Sequence, residues 1–377
     1  MNVKYQDETD CECLPIAEIG IFGARITKFR LTFKSPLSDS FTFGKESITL
    51  YLTSENTDHN RIRIPIAFCE RRSSSQFILF IAQNIDNVST KLLKFDKENL
   101  CQIQCKPHFS LKFNTPIRNI EHKVMRNCHF LAVKCLETDK FADNIFKDIR
   151  YCLYSPEKQG KNPLILFLHG AGEGGLSQNH LLADRSVATF VDPDIQHYFD
   201  YPYILAPQCP DFWLDTFTLA GKTYYGSRDY TETIFQLVRK IIRENKWIDV
   251  NRVYVIGASM GGYQALRLLS YAPDIFAAGI IACPAKIPSD NQLEPLKKIP
   301  LWLLHSRHDQ IVPVQHTDYI VKYLKDSRRI QVTYYADIHI QAITLDPHCV
   351  FLALYENSPD FEGISLFHWL TQQRRTL

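Results

Sequence analysis

The sequence predicts two domains: a β-sandwich at the N-terminus, then a doubly wound α/β domain with a mostly parallel sheet. Three observations carry this reading. The first third is built of short alternating runs separated by turn residues, with no helical periodicity between them. From about residue 146 apolar strands alternate with helical patterns. Within that second part, Gly257 to Gly262 (GASMGG) joins an apolar run to a helical one. Strand, sharp turn and helix together lift a serine hydroxyl above a parallel sheet.

The sandwich strands follow in order. Phe29, Leu31 and Phe33 alternate with polar residues, as do Ile48, Leu50 and Leu52. Ile62, Ile64, Ile66 and Phe68 form one further alternating run, and Phe77 to Ile81 is a short apolar run. Cys101, Ile103 and Cys105 alternate again, followed by Leu111 and Phe113, and residues 128–136 give one more strand. The predicted division is 15–118 for the sandwich and 119–377 for the α/β domain. In the latter, residues 164–168 and 203–206 are apolar strands. Ile234, Leu237, Val238, Ile241 and Ile242 form the stripe of a helix packed on a sheet. Strand 253–256, helix 260–271, strands 277–283 and 301–305, helix 317–325, strand 330–335 and a closing helix over 361–371 complete the alternation.

Composition excludes several classes. With 377 residues, 45% of them hydrophobic and 22% charged, the chain has material for a large core. Lys and Arg number 43 against 41 Asp and Glu, a net charge of +2, which gives no electrostatic case for nucleic acid. No apolar run approaches the roughly 20 residues of a membrane span. The polar, acidic first residues lack the pattern of a secretory signal. Eleven cysteines, an odd number scattered along the chain, fit reduced thiols better than a disulfide framework, so a cytoplasmic location is expected. Cys11-x-Cys13 and the pair Cys101 and Cys105 lack the spacing of zinc sites, and no metal or organic cofactor is expected.

A serine hydroxyl is a weak nucleophile unless a base takes its proton and a carboxylate holds that base in one tautomer. Ser259 is the candidate nucleophile. Its flanking glycines are expected because a Cβ there would clash with the neighbouring strand and helix. Asp309 follows strand 301–305 on a loop at the strand's C-terminal end, where chemistry collects in open α/β sheets. The base must come later. His316 begins a helix and reads as solvated, and His368, between Phe367 and Trp369, reads as a packed histidine. His339 and His348 both lie after strand 330–335; His348 is preferred and His339 stays open. An oxyanion also needs backbone N–H donors. Met260, the residue after the serine, supplies one. The loop after strand 164–168, His169 to Gly175 (HGAGEGG), supplies the other, with Ala171 preferred to Gly170.

These residues resemble bacterial two-domain carboxylesterases of the α/β-hydrolase superfamily with an N-terminal immunoglobulin-like domain, related to polyhydroxybutyrate depolymerases and feruloyl esterases. The resemblance lies in Tyr151 to Pro156, Leu166 to Gly175, Ala206 to Pro210 with Trp213, Ile248 to Leu266, Pro300 to Val314, and the tail from His348 through Tyr355 and Asn357 to Leu370. It covers about residues 150–377. It implies an α/β-hydrolase fold, with Ser259 as nucleophile, Asp309 as acid and His348 as base. The sequence departs from the pattern at Ser306, where a glycine is usual, at Pro347 before the base and at Phe351 three residues after it. Those changes bear on substrate preference more than on the triad.

The resulting expectation is a serine hydrolase forming an acyl-enzyme, acting on carboxylic esters of small or medium acyl groups. A thioesterase, peptidase or acyltransferase would use the same residues. A reading of another class is a binding protein built on an inactive hydrolase scaffold. The expected partner is a small acyl substrate, and the sequence leaves the oligomeric state open.

Overall fold

The structure is a computed structural model; it describes residues 9–375 except 45, 55–56, 83–89, 159, 176–177, 220, 341 and 362. The first eight residues of the acidic N-terminus therefore lie outside the described residues. The chain divides into two compact units, one running to Lys94 and including Ile103–Asp139, the other made of Phe95–Gln102 and the residues from Lys140 onward.

The first unit is β-rich. One sheet carries, in order, Cys128–Phe130, Cys11–Gly20, Gly23–Phe33, Gln76–Ile81 and Ile66–Arg71, with Lys134–Cys135 also on Cys11–Gly20. A second sheet has the order Thr57–Ile64, Ile48–Ser54, His108–Phe113. Period-2 alternation sends Phe29, Leu31 and Phe33 inward, fully buried. Phe29 meets Phe109 of the other sheet edge-on, with ring centroids 5.0 Å apart.

Two expectations are corrected here. The alternating run 62–68 is not one strand. Pro65 has no N–H for a ladder, and the chain changes sheets there. Residues 119–139 group with the first unit rather than with the α/β part. The reason is that Cys128–Phe130 and Lys134–Cys135 pair in parallel with Cys11–Gly20, placing Cys11 opposite Cys128.

The second unit holds an eight-stranded sheet. Its strands are β1 (Ala142–Phe146), β2 (Ile149–Tyr154), β3 (Asn162–Leu168), β4 (Tyr203–Gln208), β5 (Ile248–Ala258), β6 (Ala278–Ala282), β7 (Leu301–Ser306) and β8 (Ile330–Tyr335). The order is β1-β2-β4-β3-β5-β6-β7-β8; β2 is antiparallel to both neighbours and every other pairing is parallel. Every residue of β3 is buried, which is why it reads as a continuous apolar run and not as an alternation.

The helices used below are α1 (Thr231–Glu244), α2 (Met260–Tyr271), α3 (Gln315–Tyr323), α4 (Val350–Tyr355) and α5 (Leu366–Gln372). Ile234, Leu237, Val238 and Ile241 of α1 are buried as its stripe predicts. Helix α3 starts before the expected Thr317 and takes in His316. The closing helix is shorter than 361–371. A small hairpin, Asp360–Phe361 with Ile364–Ser365, occupies its first part, turning at Gly363 with φ +78°. No helix among the described residues is long and apolar enough to cross a membrane.

Candidate active site

Ser259 sits between β5 and α2 with φ 53° and ψ −117°, a strained conformation for a residue with a side chain. Close packing forces it. A Cβ on Gly257 would lie 2.3 Å from the Gly261 carbonyl oxygen, and one on Gly261 would lie 2.1 Å from that of Leu168. The glycines are thus required by a strand and a helix meeting backbone to backbone, as the sequence predicted. The turn is anchored from behind. Ser259 N–H donates to Ala282 O at 2.9 Å, and Ser259 O accepts from Ala285 N–H at 2.9 Å.

Asp309 follows β7, and its side chain is fully shielded from solvent. Oδ1 accepts the N–H groups of Ile311 and Val312 at 2.8 and 2.9 Å. Oδ2 accepts from His348 Nδ1–H at 2.8 Å. His305, also buried, donates from Nε2 to Val312 O at 3.0 Å and places the same nitrogen 3.4 Å from Asp309 Oδ2. Burial works against the charge on Asp309. The hydrogen bonds from His305, His348 and Val312, with the nearby His348, outweigh it and hold the carboxyl well below the usual carboxylate range.

His348 lies in a short 3-10 turn, Pro347–Cys349, ahead of α4. Asp346 caps that turn by accepting His348 N–H at 2.9 Å. Pro347 thus stands at the first position of the turn, where its missing N–H costs nothing. Phe351 meets the imidazole edge-on at 6.1 Å. With Nδ1–H committed to Asp309, Nε2 is left as the basic nitrogen.

The other histidines go elsewhere. His339 is exposed on the hairpin Ile338–Ile340 with Ile343–Leu345, beside Thr344 Oγ1 at 3.1 Å, and borders a separate cleft of about 250 Å³. His316 is half-buried and directs Nδ1 to Pro284 O at 3.1 Å. His368 is exposed rather than packed, because Phe367 and Leu370 take the inner face of α5 and leave it outside.

The loop after β3 is fixed from beneath by His169. Its Nε2 accepts Cys209 N–H at 3.0 Å, so its Nδ1–H donates to Gly170 O at 2.8 Å. Burial lowers the pKa of this imidazole to about 4, which keeps it neutral in that tautomer. Trp213 Nε1–H donates to His169 O at 3.1 Å. Gly170 N–H is engaged by Glu173 Oε2 at 2.7 Å, so Ala171 is left as the loop's candidate donor. Met260 is the first residue of α2, and an N–H there has no acceptor in a preceding helical turn.

Four contributors had no signal in the sequence. His305 reads as the last residue of an apolar strand, and its reach to Asp309 exists only once the loop folds back. Glu173 reads as a loop acid; burial and nearby Asp184 push its carboxyl above the usual range. Burial raises Asp184 itself to about 6. Cys283 has φ 35°, is fully buried, and has its thiol raised by burial and by Asp309. Donor atoms of Cys283, Asp309 and His348 lie within 4.8 Å of one another, the one group among the described residues able to hold a metal ion. Two of its three members are already committed to each other.

A doubly wound sheet of this order, with a serine on the turn after β5 and an Asp–His pair beyond β7 and β8, defines the α/β-hydrolase class. The phospholipase/carboxylesterase family profile matches residues 153–341, half of the chain, and the protein belongs to that family. It is therefore an esterase-type hydrolase of the α/β-hydrolase superfamily. No curated protein sequence matches the chain. Among solved structures, a thermostable esterase superposes with a TM-score of 0.79 at 22% identity, over 96% of this chain and 99% of its own. A ferulic acid esterase gives 0.43 at 12% identity, over 62% and 97%. An S-formylglutathione hydrolase from Agrobacterium tumefaciens gives 0.39 at 12%, over 57% and 90%.

Proposed function

We propose that the protein is a serine carboxylesterase acting on small or medium acyl esters through Ser259, His348 and Asp309. The observation that carries the reading is the 2.8 Å hydrogen bond from the half-buried His348 to the buried carboxylate of Asp309, in a chain whose serine is held on a strained strand-to-helix turn. His348 takes the Ser259 proton at Nε2 as Oγ attacks the ester carbonyl. Asp309 stays ionised and offsets the imidazolium charge that forms. The carbonyl oxygen, becoming anionic, is received by the N–H groups of Ala171 and Met260. The protonated His348 gives its proton to the leaving alcohol, then activates water to release the acid from Ser259.

The test is labelling with a fluorophosphonate probe together with a screen of acyl esters, thioesters and peptides. Ser259→Ala removes only a hydroxyl and should abolish both labelling and turnover, a loss on the order of 10⁶ in kcat. Unchanged turnover in that variant would refute the assignment. Preferred turnover of a thioester or peptide would move the leaving group but keep the residues.

A further inference from the structure

The His169–Gly175 loop contains four glycines, and Gly172 adopts φ +95°. Such a loop is conformationally loose unless something holds it, yet oxyanion donors act by being fixed in advance. On one side β4 and the residues after it hold it. Gln208 Nε2–H donates to Glu173 O at 2.9 Å, and Gly175 N–H donates to Cys209 O at 2.7 Å. On the other side lies a segment from far earlier in the chain, Phe95–Gln102, the tip of the hairpin Leu93–Asp96 with Cys101–Gln104, which groups with the second unit.

The tip bears on Gly172 in three ways. Gln102 N–H donates to Gly172 O at 2.8 Å. Cys101 pairs with Gly172 as a parallel β-bridge. The Phe95 ring lies so close that a Cβ on Gly172 would be 2.5 Å from Cε2. The tip is itself stiffened: Asp96 accepts the N–H groups of Glu98 and Asn99 at 2.9 and 3.3 Å and the Asn99 side chain at 2.7 Å. Lys222 Nζ and Tyr224 Oη both donate to Glu98 O, from the hairpin Thr216–Leu219 with Lys222–Tyr225. That hairpin is held by Tyr224 stacked on Phe217.

We propose that Phe95 is a positioning residue for ester hydrolysis: its ring, carried on the 95–102 tip, holds Gly172 and so fixes where Ala171 N–H points. This rests on the reading of Ser259 and Ala171 given above. A donor displaced by about 1 Å can cost on the order of a hundredfold in rate. A bracing role has its own signature, because binding of the ground-state ester hardly depends on the oxyanion donor.

The test compares parent, Phe95→Ala, Phe95→Tyr and the double variant Lys222→Met/Tyr224→Phe, in the full chain, on p-nitrophenyl butyrate. Phe95→Ala should lower kcat by roughly 10- to 100-fold with KM within about threefold. Its fluorophosphonate labelling rate should fall in step. Phe95→Tyr should restore kcat to within about threefold of the parent. The double variant leaves Phe95 in place but frees the tip, and should lower kcat in the same sense should Phe95→Ala fail to fold. A kcat within twofold of the parent in both Phe95→Ala and the double variant overturns the proposal, and so does a loss residing wholly in KM. Ser259→Ala run alongside separates the cases: if it stays active, the reading of the site fails, whereas a dead Ser259→Ala beside a fully active Phe95→Ala refutes only the brace.

Discussion

Asp309 combines burial with hydrogen bonds from four groups, and its depressed pKa sets a pH signature. The native state binds fewer protons than the unfolded chain between the unfolded value near 3.8 and the lower folded one. The stability this carboxylate contributes is therefore complete above about pH 5 and is lost as pH falls through the folded pKa. Asp309→Asn should be less stable than the parent in urea at pH 7, and the gap should narrow below about pH 4. The same variant should lose about 10⁴ in kcat, because an amide does not hold His348 in the Nδ1–H tautomer. His348→Ala should fall about as far as Ser259→Ala, while His339→Ala, altering an exposed hairpin residue, should stay within a few-fold of the parent. The reverse outcome for the two histidines would reassign the base. Residues such as Ser259 and Asp309 were legible because each sits in a local pattern of strand, turn and small residues. His305 and Glu173 were not, since what they do depends on partners brought in by folding and on burial that no local pattern records.

The strand–turn–helix from β5 to α2 is the element whose sequence left least freedom. A Cβ on Gly261 would meet two backbone oxygens, Leu168 O at 2.1 Å and His169 O at 2.5 Å, neither of which can swing aside as a side chain would. Gly261→Ala should therefore cost at least the roughly 1–3 kcal/mol of overpacking, seen as a lower Tm and little soluble protein. Gly160→Ala, whose nearest contact would be an ordinary 3.6 Å, should change Tm by no more than a degree or two and serves as the control. β3, β4, β6 and β7 were read to within two residues because burial on both faces makes them apolar throughout, whereas β1 and β2, partly exposed, went unread as strands. Two elements were misjudged where one residue outweighs a pattern. Alternation across 62–68 is real, yet Pro65 splits it between sheets. The closing helix expected over 361–371 begins only at Leu366, because Gly363 turns the chain into a hairpin first.

At the scale of the whole molecule, two departures from the expected division matter for where the chain can be cut. Residues 119–139 contain strands that pair with Cys11–Gly20, and residues 95–102 pack on the loop after β3. A fragment of residues 120–377 would carry the first without their partner and lack the second. Unpaired strand edges invite association, so this fragment should be poorly soluble, with a lower soluble yield than one of residues 140–377. Comparing soluble yield of the two on expression checks this; equal and high yields would mean that the pairing with Cys11–Gly20 contributes little. The alternation of short strands announced a β-rich first part, but a parallel pairing across more than a hundred residues leaves no trace in local periodicity. The boundary was therefore the least legible feature.

That long-range pairing also sets a timetable. Cys11–Gly20 is made early, the first strand among the described residues, and Gly23–Phe33 can join it at once as a hairpin neighbour. Its other edge stays open until Lys134–Cys135 has been synthesised, roughly 115 residues later. At about 5–20 residues per second, that is roughly 6–23 s in which a largely apolar strand waits on the ribosome without its final partner. The 95–102 tip waits in turn for Gly172. The nascent chain thus spends its most exposed interval before the serine at 259 has been added, and slowing translation between residues 20 and 135 should lengthen that interval and lower the yield of folded protein.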